Sequence, residues 1–375
     1  MKIPFRQYHL LSILSLYENS NFPLDLILRN YFRKHHSVGS KDRKEIAETT
    51  YGIVRWQGLL DHLGPPPHSW EQRHKIYSQI DPFKYFRKQN IPPHTRLSFP
   101  KPIYKLINQF YGCAKTEELC LASNTPAPTT IRANTLKTTR SDLFKAWQNT
   151  YDISLCKHST TGITFHKKIN FFSLPEFKQG LFEIQDEGSQ LVAMTVKAQP
   201  KQQILDYCAG SGGKSLAFAP LMKHSGQIFL HDIRPHILLE AKKRLFRAGI
   251  QNAQTLNPDS PQLKRLKKRM DWVLVDAPCS GSGTIRRNPD MKWNFSMKKL
   301  RELTGMQRSI FEKALSYMHP NGHIVYATCS LFEDENEAQV EHFLKTYNLK
   351  LQGYPFKSLP SKGEMDGFFA ATFTF

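Results

Sequence analysis

From residue 202 onward the chain alternates short β-forming runs with segments of helical periodicity, and this alternation constrains the fold more than any other feature. Residues 204–207, 227–231, 253–256, 272–275 and 323–328 read as strands. Residues 235–248 and 297–318 read as helices between them, and 334–346 as a helix after the fifth strand. A parallel strand pair needs a crossover long enough to bring the chain back, so the pattern predicts a parallel sheet with helices on both faces. The alternating segment 368–375 reads as a last strand.

The preceding residues have a different texture. Leu10, Leu11, Ile13, Leu14 and Leu16 give an apolar stripe too short to span a membrane and without a following cleavage site, so a helix is expected and not a signal peptide. Ser40 is placed to cap a second helix whose apolar positions are Ile46, Tyr51, Ile53, Val54, Leu59 and Leu60, and prolines 65–67 stop it. The prolines of residues 81–128 predict short helices and a linker near 124–128. Strand character in 130–134 and 163–169, with a helix over 141–150, predicts a small α+β module. The expected division is a helical domain, 1–125, an α+β module, 126–196, and a Rossmann-like α/β domain, 197–375.

The strand at 204–207 runs into Cys208-Ala-Gly-Ser-Gly-Gly-Lys214. Gly210, Gly212 and Gly213 let backbone approach a ligand with no Cβ in the way. Asp232, 20 residues after Gly212, is placed to accept from ribose hydroxyls or to cap the helix opened by Pro235. Asp259, after the third strand, is placed for an adenine amino group. The loop is too short for a phosphate-binding P-loop. An adenosine ligand without a phosphate cradle fits, and S-adenosylmethionine and NAD satisfy that equally.

The fourth strand ends in Asp276-Ala-Pro-Cys279 and the fifth in Thr328-Cys329. Both cysteines fall at strand carboxyl ends, the edge where such sheets bind ligands. One cysteine there is usually a filler. Two, with Asp206, Asp232 and Asp276 nearby, point to thiol chemistry. The other cysteines are Cys113, Cys120, Cys156 and Cys208; no two are spaced C-x-x-C, so no metal site is expected, and nothing suggests secretion, so no disulfides are expected. Free thiols in a reducing cytoplasm and a monomer are the expectation.

Lys and Arg number 52 against 32 Asp and Glu, a net charge of +20. That surplus predicts a polyanionic partner, and nucleic acid over a membrane surface because no basic amphipathic helix stands out. Arg286, Arg287 and Lys292 are candidates for phosphate contacts and Trp293 for base stacking, against the alternative of a solvated turn. Residues 264–269 are either an RNA-facing patch or a solvated helix end. The acidic run 333–337 is expected in the first turn of a helix, where its dipole favours it, and not as a metal site.

Asp206-x-Cys-Ala-Gly-Ser-Gly-Gly-Lys214, Asp276-Ala-Pro-Cys-Ser-Gly281 and Ala327-Thr-Cys-Ser-x-Phe-x-x-Glu-Asn-Glu337 resemble the motifs of the RNA cytosine-C5 methyltransferases, the RsmB/Nop/Sun family. Gln185-Asp-Glu187 and Asp366-Gly-Phe-Phe369 extend the resemblance over about two-thirds of the chain. Arg286-Arg-x-Pro-Asp-x-Lys-Trp293 resembles the bacterial small-subunit rRNA branch. Asp42-Arg43 and Tyr51-Gly-x-Val-Arg55 weakly resemble its NusB-like helical domain. The resemblance implies a class I methyltransferase sheet, S-adenosylmethionine as cofactor and RNA, 16S rRNA first, as partner. It implies Cys329 as nucleophile, with Cys279 assisting proton removal and product release. It implies a cofactor site lined by Cys208, Ala209, Gly210, Ser211, Gly212, Gly213, Lys214, Asp232, Asp259 and Asp276, and Arg132 and Asn134 as an RNA-touching element. Ser211 stands where the family has proline, and Asn321 where it has a glycine before the fifth strand.

The implied chemistry accounts for a thiol. A thiolate adding at carbon 6 of cytosine makes carbon 5 enamine-like and able to take a methyl from a sulfonium; a base then removes the carbon-5 proton and the thiolate leaves. The target base must leave its stack. Asp276 suits the cofactor's amino group or the cytosine edge. A tRNA methyltransferase and a non-catalytic RNA-binding assembly factor are the alternatives. A DNA cytosine-C5 methyltransferase would leave Cys329 without a role, and a Rossmann dehydrogenase would need G-x-G-x-x-G.

Overall fold

The computed structural model describes residues 3–20 and 22–375. They fall into two compact units: Met1–Pro126 with Thr284–Met297, and Ala127–Gly283 with Lys298–Phe375. The segment 284–297, which the sequence places inside the α/β domain, packs with the helices.

In the helical unit, helices Phe5–Glu18, Leu24–Lys34, Ser40–Leu63 and Trp70–Tyr77 enclose a core that includes Leu10, Ile13, Leu14, Leu28, Ile53 and Leu59. Leu16, expected in the stripe, is exposed because it lies off the i, i+3, i+4 face. Ser40 is the first helical residue, and Gly39 holds the cap position without a side-chain bond, so the expected serine cap is not made. The expected short helices are present at Pro82–Tyr85 and Pro93–Arg96, and Lys101–Ser123 is helical on both sides of one break. Pro100 and Pro102 sit at its start, where a missing N–H is harmless, and its break comes instead at Gly112, φ 72°.

The second unit holds two sheets. Strands β1 (Thr129–Ala133), β2 (Ile153–Leu155), β3 (Gly162–Phe165) and β4 (Phe182–Ile184) form an antiparallel sheet of order β2-β3-β1-β4. Helix Arg140–Trp147, opened by a Thr139–Asp142 capping box, packs Leu143 and Trp147 on Ile131, Ile163 and Phe182.

The larger sheet contains β5 (Gln203–Asp206), β6 (Gln227–His231), β7 (Ala253–Leu256), β8 (Met270–Asp276), β9 (Met318–Thr328), β10 (Lys350–Leu351), β11 (Phe356–Ser358) and β12 (Phe368–Thr374). Its order is β10-β12-β9-β8-β5-β6-β7, with β11 paired to β12. Strands β5 to β9 run parallel, and β12 returns antiparallel to β9. Ile204, Leu274 and Val325 face one apolar cluster, while Leu205, Val273 and Ile324 face the other. Both faces are apolar, as a covered parallel sheet requires. Strand β9 begins at Met318, where the sequence put the end of a helix. That helix stops at Leu315, and Tyr317 O accepts from the N–H groups of Arg269 and Met270.

The chain runs outward from β5 to β7 and then returns to β8 on the other side of β5. This reversal opens a crevice at the carboxyl ends of β5 and β8, where open α/β sheets bind ligands. No described helix is long and apolar enough to cross a membrane.

Candidate active site

Cys279 leaves β8 and Cys329 leaves β9, and because those strands are neighbours the two sulfurs lie 3.4 Å apart. The loops are laced by backbone bonds: Ala277 N donates to Ala327 O and Gly283 N to Cys329 O, each at 2.9 Å. Gly283 must be glycine, since a Cβ would lie 2.2 Å from Gly367 O. The hydrogen bond with Cys329 and then burial push the Cys279 thiol well up. The Cys208 thiol is raised as well, first by burial and then by the carboxylates of Asp206, Asp276 and Asp232.

The glycine loop closes the other side of the crevice. Gly210 and Gly212 take φ of 52° and 78°, values that only glycine adopts freely. Lys214, buried at the loop's end, forms an ion pair with Asp276 at the end of β8. Burial opposes its charge, but the Asp276 carboxylate outweighs burial and Lys214 is raised, with Cys329 contributing. Lys214 thus supplies positive charge beside the Cys329 sulfur. Asp232 accepts Gly210 N at 2.9 Å and a fork from Arg234 Nε and Nη2 at 2.9 and 3.0 Å. Burial works against its charge, but these bonds outweigh it and hold the carboxyl below its ordinary range. Arg234 is largely exposed. Asp259 is exposed in the loop after β7.

Asp206, which the sequence placed only near the site, ends β5 fully buried. Its Oδ2 accepts Ser215 Oγ at 2.7 Å, and its Oδ1 has no hydrogen-bond partner. Burial pushes this carboxyl up to about 7, against the bond from Ser215. An unpartnered buried oxygen, a loop with three glycines and an acceptor at the end of β6 together fit an adenosine ligand carrying a cationic tail.

Two family models match the chain: the 16S rRNA methyltransferase RsmB/F over residues 193–374, and the RsmF/B-like ferredoxin-like domain over 99–171. The chain belongs to the RsmB/F methyltransferase family. It is 31% identical over 274 residues to the probable ribosomal RNA small subunit methyltransferase B of Synechocystis, covering 71% of this chain and 60% of the relative. It is 34% identical over 242 residues to a human 28S rRNA (cytosine(4447)-C(5))-methyltransferase, covering 62% and 30%. The chain therefore spans 60% and 30% of these relatives' lengths, less than two-thirds of either. A solved methyltransferase homologue from Pyrococcus horikoshii superposes with TM-score 0.65 at 28% identity, over 75% of this chain and 97% of that one.

Within this family fold, several residues expected to touch RNA have other partners. Arg132 is buried and its Nε donates to Gln185 Oε1 at 2.7 Å; Gln185 Nε2 donates on to Gly213 O at 3.2 Å. Arg132 therefore braces the glycine loop. Asn134 is buried and donates to Gly180 O and Ala248 O, both at 2.8 Å. In the helical unit Lys292 is fully buried, donating to Arg55 O at 2.8 Å and Asn124 Oδ1 at 2.9 Å, and burial drives its amine well below the ordinary range. Arg286 is buried, its carbonyl accepting Arg55 Nη2. Trp293 Nε1 donates to Val54 O at 2.7 Å, and its ring lies where a Cβ on Gly58 would come within 2.9 Å. For Arg132, Asn134, Arg286 and Lys292 the expected RNA contacts are corrected, because a buried group cannot reach RNA without unpacking, whereas Trp293 is only half-buried. Arg287 is half-buried. The 264–269 run is exposed at Lys264, Arg265, Lys267, Lys268 and Arg269.

The acidic run lies in the first turns of two helical segments. Glu333–Glu335 form a 3-10 turn ahead of helix Glu337–Thr346, and Glu335 is fully buried beneath the cysteine loops. Nothing in its local sequence distinguishes it from Glu333, which is exposed; only its partners from β8 and β9 do.

Proposed function

We propose that this chain methylates carbon 5 of cytosine in RNA, with S-adenosylmethionine as methyl donor and small-subunit rRNA as substrate. The observation that carries this reading is the pair of thiols at 3.4 Å on neighbouring strand ends, beside a glycine loop at the sheet's reversal point. The named relatives support the substrate class.

When bound, S-adenosylmethionine supplies an electrophilic methyl group. The glycine loop and Asp232 hold its adenosine portion, and Lys214 and Asp276 border the crevice. Cys329, with Lys214 beside it, adds as thiolate to carbon 6 of the cytosine, and carbon 5 becomes nucleophilic. After methylation the carbon-5 proton goes to a base and Cys329 is expelled as thiolate. Cys279, 3.4 Å from that sulfur, assists removal of the carbon-5 proton and release of the product.

The test is a trapping assay. Cys279→Ala protein, mixed with unmodified small-subunit rRNA and S-adenosylmethionine, is expected to form an RNA–protein adduct stable on a denaturing gel. The Cys279→Ala/Cys329→Ala variant is expected to form none. An adduct that persists without Cys329 would overturn the assignment of the nucleophile.

A further inference from the structure

A buried carboxylate with four hydrogen-bond donors lies under the two cysteine loops. Glu335 is fully buried. Its Oε1 accepts Ser280 N at 2.8 Å and Gln307 Nε2 at 3.0 Å, and its Oε2 accepts Ser280 Oγ and Ser330 Oγ, each at 2.5 Å. Ser280 follows Cys279 and Ser330 follows Cys329, so one carboxylate grips both loops at the residue next to each thiol. Gln307 Nε2 also donates to Pro278 O at 3.0 Å, which fixes the first loop on Cys279's other side. The turn carrying Glu335 is anchored in its own right. Tyr326 OH donates to Glu335 O at 2.8 Å, Thr328 Oγ1 to Asn336 Oδ1 at 2.5 Å, and Asn336 Nδ2 to Ser330 O at 2.9 Å.

We propose that Glu335 is the positioning residue of the cysteine pair: it locks the two loops at one separation and sets the two thiols in different surroundings. The charges around the pair are arranged for this. Lys214, paired with Asp276, acts on Cys329 from the glycine loop. Glu335 acts on Cys279 from below, and its charge adds to the hydrogen bond and burial that hold that thiol protonated. Tyr326, buried and raised by burial, and Arg308 behind it complete the facing groups. Asp206 stands beyond Lys214. Two like thiols 3.4 Å apart would otherwise have no reason to divide their roles.

This rests on Cys329 being the nucleophile, which the Cys279→Ala trapping assay tests with Glu335 intact; the measurements below need no adduct to be read. Glu335→Gln isolates the charge, because an amide can still bridge the loops if both serine hydroxyls reverse, whereas Ser280→Ala/Ser330→Ala removes two arms of the clamp and keeps the charge. Alkylation by iodoacetamide, followed by peptide mapping across pH, reads each thiol separately in the full chain. With Glu335→Gln, Cys279 labelling is expected to set in roughly one pH unit lower or more. With Ser280→Ala/Ser330→Ala, kcat on small-subunit rRNA is expected to fall on the order of 10²-fold, with KM and S-adenosylmethionine affinity within about twofold by the same argument that a displaced reacting group hurts the chemical step most. An unmoved Cys279 profile in Glu335→Gln, or a double serine variant that turns over at the parent rate, would overturn the proposal. If Glu335→Gln does not fold, the serine pair and its kcat-against-KM split decide alone.

Discussion

Asp206 carries a testable consequence at the scale of one residue. Its carboxyl is pushed up to about 7 from an ordinary 3.8, chiefly by burial. The folded state therefore holds a proton on this group that the unfolded chain releases between about pH 4 and 7, so its contribution to stability is full below that window and lost as pH rises through it. Asp206→Asn keeps an acceptor for Ser215 and removes the titration. Urea unfolding of the ligand-free protein is expected to show the variant more stable at pH 8 by on the order of 4 kcal/mol, by about a third of that at pH 5, and no more stable than the parent near pH 3. A stability difference independent of pH would show that Asp206 stays ionised. The same scale separates thiols the sequence treats alike: the Cys208 thiol is raised first by burial, the Cys279 thiol first by its hydrogen bond with Cys329.

At the scale of elements, the departure at Ser211 is absorbed by the helix Pro235–Ala248. A proline would restrict the loop through φ. Here Arg244 Nη1 holds Ser211 O at 3.0 Å and Ser211 Oγ at 2.6 Å. Arg244 also donates to Glu183 on β4 at 2.9 Å, and Arg247 binds the same carboxylate. One buried carboxylate thus ties β4, the helix and the glycine loop. Arg244→Met leaves Glu183 with a single cation and frees the loop. It is expected to lower stability by roughly 2–4 kcal/mol and to weaken S-adenosylmethionine binding in calorimetry. Ser211→Ala loses one bond and should lower stability by only about 1 kcal/mol. Equal effects of the two would mean that the ion pair contributes nothing.

At the scale of the whole molecule, the net charge of +20 predicts RNA binding that weakens steeply with salt. The helical unit decides which cations take part. Lys292 is inside it, so Lys292→Met is expected to lower the melting temperature, through unsatisfied Arg55 O and Asn124 Oδ1 at about 1–3 kcal/mol, while the slope of log affinity against log salt stays as in the parent. A phosphate contact would instead reduce that slope by about one.

The parallel sheet was legible because strand and helix periods are local, and Gln227–His231 and Ala253–Leu256 coincide with the runs read from the sequence. The cysteine pair was legible as well, since strand ends of one parallel sheet share an edge whatever the loops do. Three things were decided only in three dimensions. The segment 284–297 packs with helices more than 150 residues earlier in the chain. Arg132 faces Gln185 and not solvent. Glu335, one acid in a run of acids, meets Ser280 from a loop 55 residues away. The reason is common to all three. Propensity and pattern say which element a residue joins, but whether a charged side chain meets water or a buried partner depends on what distant strands bring against it, and that is settled by packing.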